Sequence, residues 1–103
     1  MNKDDAFRAL GVLEAQLRAR IPTDAPAKGR RYLGYVIDEQ MAAARVHLTA
    51  IYASGLEVGP DFAGVPTFSA HPKYAFWCAG IRRHIQICEA SLGNHPSQSP
   101  VVR

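Results

Sequence analysis

The chain has 103 residues, 48% of them hydrophobic and 20% charged, with a formal net charge of +3. That length fits one domain with a modest core, and the composition is that of a soluble globular chain. No apolar run approaches the ~18 residues a membrane span needs. The opening MNKDDAFR sets two acids ahead of any hydrophobic run, unlike a secretory signal, so the expected setting is the cytoplasm, with no membrane partner.

The first predicted helix covers residues 5–21. Ala6, Leu10, Leu13 and Leu17 recur at steps of three and four, which keeps them on one face. Asp4 or Asp5 is expected to cap its start, and Pro22 to end it. The following PTDAPAKG carries turn chemistry and is short enough to make the next helix an antiparallel neighbour. Arg18, Arg20, Lys28, Arg30 and Arg31 gather around this turn. Such a cluster suits phosphate contacts and supports an alternative reading of the chain as a small basic nucleic-acid-binding protein. It has no interleaved exposed aromatics, no recognisable DNA-reading motif and Asp24 in its midst, and a solvated turn, which needs no partner, is the simpler account.

The second helix, about 26–54, is the longest run with one periodicity. Asp24, or a residue nearer Lys28, is expected to mark its start, and Gly55 its end. Leu33, Ile37, Met41, Ala44, Leu48 and Ile51 predict a buried face. A second row, Tyr32, Val36, Ala43, Val46 and Ala50, lies beside it and widens the apolar arc beyond what one neighbour covers. Glu39, an acid on this apolar flank, is either a surface group or the partner of an arginine across an interface.

Leu56 to Pro72 contains too much glycine and proline for a long element, yet Leu56, Val58, Phe62, Val65 and Phe68 are too apolar for a solvated linker. The expectation is a long apolar loop folded over the helices, with a helical turn near Asp61 to Gly64. It serves as a lid or as a binding segment.

The third helix is expected at 72–92, capped by Ser69 or His71 and stopped by Gly93 and Asn94. Tyr74, Trp77, Cys78, Ile81, Ile85, Cys88 and Leu92 form its principal face, and Phe76, Gly80, Arg83 and Ile87 form a second, narrower row. Residues 94–103 are polar and proline-punctuated, so a flexible tail is expected beyond a single helical domain at 1–93.

Chemistry is sparse. His84 and Cys88 stand four apart, with His47 a conceivable third donor, but no CxxC or HExxH accompanies them. Cys78 has no histidine on its helical face, and adjacent Asp38 and Glu39 diverge by about 100°. No catalytic residue, metal site or cofactor is therefore expected, and the chain is read as non-enzymatic. The surplus apolar surface points to protein association instead. The expected interface residues are Phe76, Gly80, Arg83, Ile87, Tyr32, Val36, Ala43, His47, Phe62 and Phe68, serving a homodimer and a larger protein partner that is bound or blocked.

Overall fold

The computed structural model describes residues 1–64 and 71–93. Within them the chain is all-α, with α1 (Lys3–Ala19), α2 (Ala27–Ala53) and α3 (Tyr74–Gly93). These are the three helices the periodicity predicts, displaced by one or two residues at each end. The loop cap Ser69, the loop residues Val65 and Phe68, and the expected tail at 94–103 lie outside the described residues.

The helix starts differ from expectation. Asn2, in extended backbone, accepts a hydrogen bond from the Asp5 N–H at 2.8 Å. Asp4 and Asp5 therefore occupy the first turn, where their charges favour the positive end of the helix dipole. Pro26, rather than Asp24, precedes the first residue of α2, and no side chain caps that end. Before α3, the His71 Nδ1 accepts from the Lys73 N–H at 3.1 Å.

The end of α2 follows the glycine rule. Gly55 has φ +78°; its N–H donates to the Tyr52 carbonyl at 3.1 Å, and the Leu56 N–H donates to the Ile51 carbonyl at 3.3 Å. This pair of bonds is the Schellman arrangement, which satisfies carbonyls the helix leaves open. It also turns Leu56 back toward the core.

α2 is the central helix, antiparallel to both neighbours. Its Leu33, Ile37, Met41, Ala44, Leu48 and Ile51 are all buried. They join Leu10 and Leu17 of α1 and Tyr74, Cys78, Ile81, Ile85, Cys88 and Leu92 of α3 in one core. The loop after α2 completes it: Val58 and Phe62 are each 1% exposed, and turns close from Phe62 to Gly59 and from Gly64 to Asp61. The described part of the loop is thus a lid. Phe62, expected at an interface, belongs to the core, because the turn aims its ring inward.

Polar contacts fix the remaining edges. The Met1 amine donates to the Val58 carbonyl at 3.0 Å, and the Tyr52 hydroxyl donates to the Met1 carbonyl at 2.5 Å while accepting from the Val58 N–H at 3.3 Å. Between α1 and α2, Glu14 accepts from Arg18 at 2.9 Å and also from Arg45, and Arg18 in turn binds Asp38. Burial pushes the Glu14 carboxyl up, but hydrogen bonds and charges from Arg45 and Arg18 outweigh it and hold the group below its ordinary 4.5.

Two outcomes follow. Gly55→Ala has open space around the added Cβ, so its cost is the left-handed backbone alone, about 1–2 kcal/mol, read as a lowered Tm in a thermal melt. Glu14→Gln costs about 1 kcal/mol, near the top of the range for exposed pairs because the carboxylate is only 17% exposed. The depressed carboxyl stabilises the fold above pH 4.5, and this contribution disappears as pH falls through the lower folded-state value. Urea titrations at neutral and acid pH should therefore show the wild-type advantage over Glu14→Gln vanishing in acid.

Candidate functional site

The two flanks of α2 differ in chemistry. The α1 side carries the Arg45, Glu14, Arg18 and Asp38 chain of ion pairs. The opposite flank, continuous with the outer edge of α3, is largely apolar. Tyr32 and Tyr35 are each 60% exposed, Val46 67% and Phe76 66%. Large apolar side chains this exposed along one flank are a feature that core packing leaves unexplained.

The seam between α2 and α3 supports this face. His47 stacks on His84 with ring centroids 5.5 Å apart, and meets the edge of Phe76 at 6.0 Å. His84 Nδ1 lies 2.7 Å from Gln40 Oε1; with the amide oxygen accepting, Nδ1 carries the proton. Gly80 makes the close approach possible, since a Cβ there would fall 2.6 Å from His47 Nε2. Desolvation, then the charges of His47 and Arg83, hold the His84 ring below its ordinary 6.5, so the neutral ring is the form the seam accommodates.

Of the residues expected at an interface, Tyr32, Phe76 and Arg83 are exposed and His47, Ala43, Gly80 and Ile87 half-buried on this face. Val36, 9% exposed, stands at its margin. Phe62 is core and Phe68 lies outside the described residues. Tyr35 was not singled out from the sequence, although its spacing of three from Tyr32 and four from Glu39 carried the signal. The Gln40 to His84 bond had no sequence signal, because it depends on how two helices align.

The other candidates fare differently. The basic cluster is partly spent on the fold: Arg18 binds Glu14 and Asp38, Arg20 lies 3.8 Å from Glu89, and Arg30 donates to the carbonyls of Thr23 and Ala25. Lys28 and Arg31 are exposed and, among the described residues, without an ion-pair partner. Cys78 and Cys88 are buried. Burial, followed by the charges of Glu14 and Glu89, pushes the Cys88 thiol up to about 11, which keeps it protonated and unreactive. Cys88 thus turns into the core, away from His47. Among the described residues no group of three or more His, Cys, Asp and Glu is placed to hold a metal. An open cavity of about 290 Å³ beside Leu13, Ile85 and Gly64 contains Arg82 and Glu89 but no nucleophile. No described helix is long and apolar enough to cross a membrane.

Comparison with family models, curated proteins and solved structures finds no match for this chain. Its surface is therefore the basis for reading what it does.

A double-mutant cycle checks the seam. Gly80→Ala gains about 1 kcal/mol of helix propensity but displaces the His47 ring, so in the wild-type background the gain is cancelled or reversed. In a His47→Ala background the same substitution should stabilise the fold by about 1 kcal/mol in urea titrations. The neutral His84 ring contributes fully above pH 6.5, and its contribution is lost as pH falls below that value.

Proposed function

We propose that this chain is a small non-enzymatic regulatory protein that acts by binding other protein chains through the outer face of α2 and the adjoining edge of α3. The observation that carries this reading is the exposure of Tyr32, Tyr35 and Val46 along the outer side of α2 and of Phe76 on the neighbouring α3. Aromatic side chains of this kind, with Arg83 beside them, are enriched among residues that dominate binding energy. Occupying a surface on a larger protein, and so blocking it, requires no reacting group. The same face serves self-association, so a second copy and a larger partner compete for it.

The rival reading, a basic nucleic-acid-binding protein, draws less support. Arg18 and Arg20 are already paired with carboxylates of the chain itself, which lowers the charge available to phosphates, and Arg30 is turned to backbone carbonyls.

Affinity capture from nuclease-treated native cell extract separates the two. The wild-type chain should retain a specific protein, and Phe76→Asp and Tyr35→Asp should each weaken that retention about tenfold or more while leaving the helical circular dichroism unchanged. Retention that disappears with nuclease, or that survives both substitutions, overturns the reading. Tight binding to random duplex DNA that falls steeply with salt and is lost in the Arg30→Ala, Arg31→Ala double variant would favour the rival.

A further inference from the structure

The outer flank of α2 has its own periodicity. Val36, Glu39, Ala43, Val46, Ala50 and Ala53 alternate steps of three and four, the repeat that keeps two helices in contact along a shared seam. Val36 at its start is 9% exposed and borders the buried row that starts at Leu33, while the others are exposed or half-buried. The seam is graded in size. Its N-terminal half is bulky, flanked by Tyr32 and Tyr35, and its C-terminal half ends in Ala50 and Ala53. Parallel pairing of two such helices would set bulk against bulk and leave a gap at the other end. Antiparallel pairing sets bulk against small residues throughout, so the surface is complementary to itself.

The charges on this face agree. Glu39 and Arg83 are exposed, and neither forms an ion pair among the described residues. Gly80 lies against His47 and His84 bonds Gln40, which places Arg83 level with the middle of the α2 seam, near Ala43. A two-fold axis between Ala43 and Val46 sets the Glu39 of a second copy level with Ala50, about 10 Å from that level along the helix. Two extended side chains span that distance.

We infer that the occupant of this face is a second copy of the chain, with the two α2 helices antiparallel about a two-fold axis near Ala43 and with Glu39 of each copy paired to Arg83 of the other. This inference rests on the reading of the α2 and α3 face as a protein-binding surface. It adds the identity, direction and register of one partner. An isologous contact makes each charge pair twice, so one favourable pair counts double.

Sedimentation equilibrium of the full chain tests the pairing. The wild-type chain is dimeric; Val46→Glu, at an exposed position, raises the dimer dissociation constant about tenfold or more. Glu39→Arg alone and Arg83→Glu alone each weaken the dimer, because like charges then meet twice. An equimolar mixture of these two variants restores it, since both cross-pairs become opposite in sign. Oxidative cross-linking reads the direction: Ala43→Cys links to itself at the axis, and Tyr32→Cys does not. The native cysteines are buried and stay silent. A chain that is monomeric at every concentration, a mixture that fails to restore the dimer, or self-linking at Tyr32→Cys equal to that at Ala43→Cys overturns the inference. If the chain is monomeric while Phe76→Asp and Tyr35→Asp still abolish capture of a larger protein, the self-pairing fails and the binding reading stands.

Discussion

One face of α2 organises the described structure. Leu33, Ile37, Met41, Ala44, Leu48 and Ile51 are buried along the helix, and each large side chain removed from water contributes about 1.5–3 kcal/mol. A chain this short has little other apolar surface with which to offset the entropy of folding. α1 and α3 must therefore both pack on this row, and the direction of each is set by the need to bury its own row against it. Because the row runs the length of the helix, both neighbours lie antiparallel alongside it rather than crossing it at one point.

Two helices do not close that core. The gap is filled by the segment after α2, and the way α2 ends determines that it can be. Gly55 in the left-handed region lets Leu56 fold back, so Val58 and Phe62 reach the interior within a few residues. Tyr52 and the Met1 amine then hold Val58 by its backbone groups. The glycine, the tyrosine and Met1 act together, although Met1 lies 51 residues before Tyr52.

The same packing separates two kinds of surface. On the α1 flank, Glu14 is shared between Arg18 and Arg45, and charge is satisfied within the molecule. On the other flank, His47, His84 and Gly80 draw α2 and α3 close and leave Phe76, Tyr32, Tyr35 and Val46 facing outward. An apolar face beside a satisfied polar one is what supports the proposal that the chain binds another protein.

The sequence by itself determined the helices, their order and the buried rows, because hydrophobic periodicity depends only on the geometry of one helix. It also marked Gly55, since that backbone conformation selects glycine locally. What it left open was how much of the second apolar row on α2 its neighbours would cover, and this only tertiary structure decided. Val36 and Tyr32 share a row, yet one is at the margin of the core and the other in solvent, according to where α3 lies. Phe62 and Phe76 are alike as residues; a turn buries the first and the seam at His47 exposes the second. The outer flank of α2, which first read as surplus hydrophobicity, became a surface only when the positions of α1, α3 and residues 56–64 left Tyr32, Tyr35 and Val46 exposed among the described residues.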